Sequence, residues 1–194
     1  FGILNTNPDG TIYEFEEKPA KPKSDLASMG IYIFTADKLF KYLEADDKNP
    51  ESEKDFGKNI LPAMLKAGEK MLSYRFEGYW KDVGTISSLW EANMDLLGVI
   101  PNFDLNDRDN VVHSRSPLAP PVYVQGEVVN SLVATGGDVE GKVVNSVIGT
   151  NCIIEKGAEV IDSVLLGDIT VKAGAKINYS IIDEDVIIGE NAKI

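Results

Sequence analysis

Residues 16–19 (Glu-Glu-Lys-Pro) place a carboxylate beside an ammonium group at the end of an alternating apolar and polar segment. Lysine is a compact cation that suits a phosphate group, and a carboxylate accepts hydrogen bonds from hydroxyl groups. Glu17 and Lys18 could therefore hold a hydroxylated, phosphorylated ligand. Taken alone, however, a short charged segment of this kind more often forms a solvated turn.

Residues 79–85 (Tyr-Trp-Lys-Asp-Val-Gly-Thr) form a second candidate. Asp82 lies just before a glycine and a potential helix N-cap, where a carboxylate can face a hard cation such as Mg²⁺. Trp80 could flank a sugar ring. Equally, Trp80 could fill the core and Asp82 could support the cap at Thr85, and the spacing does not choose between the two interpretations.

Two further polar residues lie near predicted element ends. Ser28 opens an apolar segment, at a strand end where ligand groups tend to converge, although it could be an ordinary strand-start hydroxyl. Asp55, followed by Phe56, could contact a sugar hydroxyl. Its spacing by itself favours the cap of the helix that follows.

Composition narrows the function classes. The chain has 194 residues, 43% hydrophobic and 26% charged, with 19 Lys and Arg against 31 Asp and Glu, so its formal charge is −12. A net acidic chain repels phosphate backbones, which argues against nucleic-acid binding. The lone Cys152 excludes an internal disulfide and a cysteine-based zinc cluster, and the lone His113 excludes chemistry that needs two imidazoles. We expect Cys152 to be a buried hydrophobe and His113 a surface residue.

Location follows from the same counts. The use of cysteine fits a reducing, cytoplasmic compartment. No apolar run approaches the roughly 20 residues that cross a bilayer, and no signal pattern opens the chain, so no membrane association is expected.

The candidate residues of the first part lie in an alternation of strand-like and helix-like segments, which predicts an α/β layer. A turn signal at residues 7–10 precedes the first of these strands and predicts the entry of a hairpin. The run at 29–34 is nearly continuous apolar and β-branched, and predicts a strand buried on both faces. Strands are predicted at residues 11–17, 29–34 and 71–76. Helices are predicted after an N-cap at Thr35, over residues 56–65 with an interruption at Pro62, and from Thr85 to Gly98.

From residue 122 the sequence repeats. A Ser-aliphatic-aliphatic motif recurs with its serines 15, 17 and 17 residues apart, and aliphatic residues recur every six positions. The repeated residues are Ser131, Ser146, Ser163 and Ser180, and Ile148, Ile154, Val160 and Leu166. A six-residue step fits a hexapeptide β-helix with the periodic aliphatic pointing inward. We therefore divide the chain into an α/β part at 1–98, a linker at 99–121 and a β-helix at 122–194.

The combination resembles a known family. Residues 15–19, 27–34, 54–58, 79–85 and 89–97, followed by the β-helix, resemble the bacterial glucose-1-phosphate adenylyltransferases (ADP-glucose pyrophosphorylases) in the same order, over essentially the whole chain. The resemblance implies part of a Rossmann-like nucleotidyltransferase domain followed by a left-handed parallel β-helix. It implies the transfer of an adenylyl group from ATP to glucose 1-phosphate with Mg²⁺, in glycogen biosynthesis. It also implies a homotetramer under allosteric control.

The resemblance assigns roles to residues of this chain. Lys18 would contact the sugar phosphate and Glu17 the glucose hydroxyls. Asp82 would be the catalytic, metal-holding aspartate. The remaining residues implied around the sugar phosphate are Ser28, Asp55, Phe56 and Trp80.

One departure from the family pattern affects the expected activity. The family carries a glycine-rich nucleotide loop with a reactive arginine and lysine, and a second metal-holding aspartate, and nothing of that kind lies before Glu16. We expect the chain to correspond to the C-terminal part of such an enzyme, and residues 1–194 alone to be inactive.

Three alternatives remain open to different degrees. A mannose-1-phosphate guanylyltransferase shares residues 17–19 and 82–85, but Ser28 and residues 55–57 favour the adenylyl branch. A hexapeptide acyltransferase needs a histidine in its coils, and none follows His113. A non-catalytic paralogous subunit would tend to lose residues 80–84, which are intact.

Overall fold

The computed structural model describes residues 1–114 and 118–194, and it divides into two compact units, Phe1–Glu77 and Gly78–Ile194. The second unit contains both the β-helix and the residues just before the predicted linker. The sequence-based division at 98/99 and 121/122 stays a prediction, and residues 115–117 of that linker lie outside the described residues. Among the described residues, no helix is long and apolar enough to cross a membrane.

The first unit begins with a β-hairpin, as the turn signal predicts. Strands β1 (Gly2–Thr6) and β2 (Ile12–Glu17) pair antiparallel, with Gly2 opposite Glu17. In the turn, the Thr11 amide donates to the Asp9 carboxylate at 2.9 Å. The hairpin places residues 17 and 18 beside the start of β1.

The helices of the first unit follow the predicted order. Helix α1 (Ala36–Asp47) begins after Thr35, but the Thr35 side chain makes no capping hydrogen bond. The next helix starts as a π-helix (Phe56–Ile60) and continues as α2 (Leu61–Lys66). Pro62 lies at the second position of α2, directly after the π-helical segment, and its missing N–H removes one bond from the helical ladder there. The predicted interruption is therefore a change of helix type.

Two strand predictions for the first unit are wrong. Residues 29–34 form no strand, and Ile31 and Ile33 are 74% and 99% exposed, instead of buried on both faces. Residues 71–76 form only an isolated bridge at Leu72. A strand needs a neighbour to bind its backbone groups, and within the described part of this unit only β1 and β2 form a ladder.

Helix α3 (Ile86–Met94) opens the helical part of the second unit. Its N-cap is Thr85, as predicted, in a capping box with Ser88. The helix ends at Met94 instead of continuing to Gly98, because residues 96 and 97 make tighter turns with N–H groups bonded three residues back.

The rest of the second unit is a parallel β-solenoid of short strands. In chain order these are β3 (Tyr123–Val124), β4 (Glu127–Val129), β5 (Leu132–Val133), β6 (Asp138–Val139), β7 (Lys142–Val144), β8 (Val147–Thr150), β9 (Ile153–Ile154), β10 (Glu159–Ile161), β11 (Val164–Gly167), β12 (Thr170–Val171), β13 (Lys176–Asn178), β14 (Ile181–Ile182) and β15 (Ile187–Ile188).

Successive strands belong to three different parallel sheets, ordered β3-β6-β9-β12-β15, β4-β7-β10-β13 and β5-β8-β11-β14. Every third strand therefore stacks on the equivalent strand of the previous coil. This confirms the β-helix that the repeat predicts, and its left hand stays a prediction from the resemblance.

The solenoid core corrects one detail of the repeat. Leu165 points inward and is buried, whereas Leu166 is 38% exposed, so the predicted inward step from Val160 to Leu166 is wrong. The inward residues of a coil follow steps of six, five and six, as in Ile154, Val160, Leu165 and Val171. These steps account for the 17-residue spacing of the serines.

Gly149 occupies a close approach between coils, which predicts a measurable cost of substitution. A Cβ at this position would lie 2.0 Å from the carbonyl oxygen of Leu166, which is backbone and cannot rotate away. We expect Gly149→Ala to lower the free energy of unfolding by about 1–3 kcal/mol in urea titrations. Gly189→Ala is the matched control, since no heavy atom lies within 4 Å of its Cβ position. Equal midpoints for the two variants would contradict this account of the packing.

Candidate functional site

The start of β1 brings two separate segments of the first unit to one place. The Lys18 amide donates to the carbonyl oxygen of Phe1 at 3.1 Å, and the Ser28 amide donates to that of Gly2 at 2.8 Å. Successive carbonyl groups of a strand point to opposite sides. Lys18 and Ser28 therefore flank the same end of the strand.

The Glu17 side chain joins a third segment to this end. A Cβ at Gly57 would lie 2.5 Å from Glu17 Oε2, and a Cβ at Gly2 would lie 3.0 Å from it. The carboxylate is therefore packed closely against both glycines, and a side chain at either position would displace it. Gly57 lies in one of the motifs of the sequence, but its contact with Glu17 joins residues distant in the chain, and spacing gives no sign of it.

Asp55 caps the π-helix, as its spacing predicts. Its Oδ1 accepts a hydrogen bond from the Lys58 amide at 2.9 Å. The Lys58 ammonium pairs with Glu53, and this hydrogen bond, together with the Glu53, Asp55 and Glu17 charges, raises the pKa of Lys58. The neighbourhood of Glu17 thus contains a cation that stays protonated well above neutral pH.

Phe56 belongs to an aromatic cluster beside Ser28. Its ring stacks on Tyr32 with centroids 6.1 Å apart and planes at 15°, and Phe34 lies 5.9 Å from it. The hydroxyl groups of Ser28 and Tyr32 share a hydrogen bond of 2.9 Å. Tyr32 and Phe34 were missed as site residues because their segment was predicted to be a buried strand. The two aromatic residues stand two positions apart, and this spacing is the signal by which the sequence could have indicated a shared aromatic surface.

The first unit therefore assembles several chemical groups that a phosphorylated sugar requires. The side chains of Glu17 and Lys18 make no hydrogen bond or salt bridge with other residues in the described ranges, so both charges are available to a ligand. The sequence-predicted residues that meet here are Glu17, Lys18, Ser28, Asp55 and Phe56.

Trp80 and Asp82 belong to the second unit, in the loop before α3. Trp80 is 37% exposed and so does not fill a core. Asp82 is exposed, takes no part in the cap, and has no hydrogen-bond or ion-pair partner among residues 1–114 and 118–194. The cap is formed instead by Thr85 and Ser88, whose amide donates to Thr85 Oγ1 at 3.1 Å. The Asp82 carboxylate is thus open to solvent or ligand.

The loop that carries Trp80 and Asp82 is fastened to helix α3. Lys81 Nζ donates to Glu91 Oε2 at 2.8 Å and lies 3.7 Å from Asp95 Oδ2. The Tyr79 hydroxyl donates to Asp95 Oδ2 at 3.0 Å, and Asn102 donates to Asp95 Oδ1 at 2.7 Å. Partial burial acts to raise the pKa of Asp95, but the hydrogen bonds from Asn102 and Tyr79 and the Lys81 charge lower it overall.

The side chains of the described residues indicate which cations could bind here. The described residues contain no group of three or more His, Cys, Asp and Glu that could hold a metal. A protein cage for zinc therefore does not fit them. The exposed carboxylate of Asp82 fits a hard cation that takes most of its ligands from water and phosphate, as Mg²⁺ does.

His113 and Cys152 have the exposure and burial that the sequence predicts. His113 is exposed. Cys152 is fully buried in the solenoid core, and burial raises the pKa of its thiol. Both observations confirm the burial expected for these residues.

Comparisons with known proteins match both parts of the chain. Residues 1–98 match the family model described as nucleotidyl transferase, and residues 121–194 match the GlmU-like C-terminal hexapeptide model. The glucose-1-phosphate adenylyltransferases of Bacillus thuringiensis (strain Al Hakam) and Bacillus anthracis are each 50% identical over 164 residues, which is 84% of this chain and 44% of theirs. The glucose-1-phosphate adenylyltransferase of Acetivibrio thermocellus is 47% identical over 84% of this chain and 38% of its own. The chain thus spans less than half the length of these relatives.

Proposed function

The chain belongs to the nucleotidyl transferase family, and on that premise we propose that the whole protein is a glucose-1-phosphate adenylyltransferase. It joins ATP and glucose 1-phosphate to form ADP-glucose and pyrophosphate. The observation that carries this proposal is the meeting of Glu17, Lys18 and Ser28 at one end of β1. Curated relatives of that name support the choice of substrates.

The first unit supplies the groups that bind the sugar phosphate. The Lys18 ammonium contacts the phosphate, because its charge is unpaired within the described residues and suits a point contact to an anion. The Glu17 carboxylate accepts hydrogen bonds from glucose hydroxyls, and Ser28 adds a hydroxyl beside it. Phe56 offers the face of its ring, and Asp55 keeps one oxygen beyond its capping bond.

Transfer follows from positioning and charge. A phosphate oxygen of glucose 1-phosphate attacks the α-phosphorus of ATP in line, the bond from that phosphorus to the bridging oxygen breaks, and pyrophosphate leaves. No covalent intermediate with the protein is needed. The contribution of these residues is therefore to orient the nucleophile and to offset charge.

The resemblance assigns two further roles to residues of the loop before α3. Trp80, partly exposed, flanks the sugar ring. The Asp82 carboxylate holds Mg²⁺, and the ion, when bound, offsets negative charge on the phosphate groups. The catalytic role of Asp82 is thus to hold a cation where charge accumulates.

The remaining properties of the proposal concern the whole protein. We place it in the cytoplasm and in glycogen biosynthesis, as a homotetramer under allosteric control or in partnership with a paralogous subunit. Residues 1–194 alone are expected to release no pyrophosphate, since they match less than half the length of the named relatives.

Pyrophosphate release by the full-length protein tests the proposal. We compare ATP with glucose 1-phosphate against GTP with mannose 1-phosphate, and expect a preference of about 100-fold or more in kcat/KM for the first pair. Preference for the second pair would replace the proposal with a guanylyltransferase. No turnover with either pair would overturn it in favour of a non-catalytic subunit.

Gly57→Ala gives a sharper test of how Glu17 is positioned. The added Cβ would lie 2.5 Å from Glu17 Oε2, the far end of a flexible side chain, so the carboxylate moves while the fold adapts. We expect KM for glucose 1-phosphate to rise about tenfold, with little change in the unfolding midpoint. Gly189→Ala, whose Cβ meets nothing within 4 Å, is the control. An unchanged KM in Gly57→Ala would argue against a sugar contact by Glu17.

A further inference from the structure

Helix α3 is docked on the solenoid through Trp90. The Trp90 indole N–H donates to the carbonyl oxygen of Asp162 at 2.8 Å. Its ring lies 4.7 Å from that of Tyr179, centroid to centroid, with the planes at 59°. Asp162 and Tyr179 occupy the same corner of two successive coils, between β10 and β11 and between β13 and β14. The middle of the helix therefore contacts both coils at one corner.

Tyr179 is the unusual member of that corner column. The equivalent residues of the other coils are Asn130, Asn145 and Asp162, and all four have φ between 45° and 49°. Asn and Asp adopt this left-handed backbone more readily than a bulky aromatic residue does. Such a conformation persists where the surroundings favour it, often at functional sites. The contact with Trp90 supplies a reason for an aromatic ring here.

The same helix fixes the loop of Trp80 and Asp82. At its first turn, Thr85 and Ser88 exchange hydrogen bonds in the capping box. Near its end, Glu91 and Asp95 bind Lys81, as described above. The loop is thus held at both ends of a helix that is itself held by the solenoid. Within the second unit, the contacts run without a break from the solenoid corner to the residues around Asp82.

We propose that Trp90 and Tyr179 are positioning residues that set the place of the 79–85 loop, and with it Asp82, from the solenoid. The role of Asp82 in this inference rests on the proposed function. Neither Trp90 nor Tyr179 touches a substrate in this scheme. They act through helix α3, and the solenoid contributes to the transfer reaction by holding a ligand of the metal in place.

The test is Tyr179→Asn in the full-length protein. Asparagine suits the left-handed corner, so the melting temperature of the solenoid is expected to stay the same or to rise, while the ring contact with Trp90 is lost. Amide hydrogen exchange in helix α3, whose amides are hydrogen-bonded, should accelerate about fivefold or more, because the helix opens more often without its contact at the corner. The Mg²⁺ concentration for half-maximal activity should rise about three- to tenfold, with a smaller effect on KM for ATP.

Tyr123→Asn is the matched control. Tyr123 is an exposed tyrosine on β3 and makes no hydrogen bond or ring contact with α3 among the described residues. It should change neither amide exchange nor Mg²⁺ dependence. Trp90→Phe keeps an aromatic ring and loses the bond to Asp162, and should give an intermediate effect.

The outcomes separate this inference from the proposed function. Wild-type exchange rates in helix α3 of Tyr179→Asn would overturn it, whatever the activity. A melting temperature that falls in parallel with activity would also overturn it, since that pattern marks a purely structural role. If the unaltered protein transfers no adenylyl group, the proposed function fails, and the exchange measurement alone decides whether the solenoid positions the loop.

Discussion

Asp82→Asn in the full-length protein is expected to lower kcat for ADP-glucose formation by about 10³-fold. The substitution keeps the size of the side chain and removes its charge. An amide oxygen is a poor substitute for a carboxylate toward a hard cation. Asp82 is exposed and unpaired among the described residues, so the loss of its charge leaves no other group without a partner. The unfolding midpoint should therefore not move. Pyrophosphate release as a function of Mg²⁺ concentration measures the effect.

The control for this prediction removes one carboxylate charge elsewhere. Glu77 is exposed and makes no hydrogen bond or salt bridge with other residues that the structure describes. Glu77→Gln should therefore leave kcat within about twofold, as surface substitutions usually do. A kcat for Asp82→Asn close to that of Glu77→Gln at saturating Mg²⁺ would show that Asp82 holds no essential cation.

The solenoid could be predicted from the sequence because its period is carried by the residues themselves. Serines at intervals of 15 and 17 and inward aliphatics need no knowledge of distant contacts. The choice between Leu165 and Leu166 could not be made in this way. Both are aliphatic, and the path of the backbone around the corner decides which of the two points inward.

The α/β part was less predictable because burial depends on neighbours. The run at 29–34 has the composition of a buried strand, but composition reports a preference and supplies no partner strand. Local features of the chain were predicted more accurately than the strands. The caps at Asp55 and Thr85 involve residues three positions away and were both predicted, although the Thr35 side chain makes no such bond.

The candidate site shows the same division between local and distant contacts. Glu17, Lys18, Ser28 and Asp55 could be singled out by residue type, spacing and resemblance. Their assembly through Gly57 could not, because the packing of Glu17 against that glycine joins segments far apart in the chain. The contact of Trp90 with Tyr179 at the solenoid corner could not be predicted for the same reason.

In the proposed function, Lys18 is the residue on which we expect binding of the sugar phosphate to depend most. Its backbone has φ of 48°, which is uncommon for lysine, and its amide is tied to Phe1. Strained backbone of this kind is found where a side chain must be presented in one direction. The ammonium makes no salt bridge among the described residues, so its charge is open to a ligand.

Lys18→Gln in the full-length protein should raise KM for glucose 1-phosphate about 10- to 150-fold, because a hydrogen bond to a charged group contributes about 1.5–3 kcal/mol. KM for ATP should change little, since the lost contact is to the sugar phosphate. Lys21→Gln removes the same charge from an exposed lysine of the same loop, and should leave both constants near their original values. Initial rates against glucose 1-phosphate concentration measure the difference. A rise in KM for ATP alone would show that Lys18 contacts a phosphate of the nucleotide instead. Equal effects of the two substitutions would show that Lys18 contributes only to the general charge of the loop.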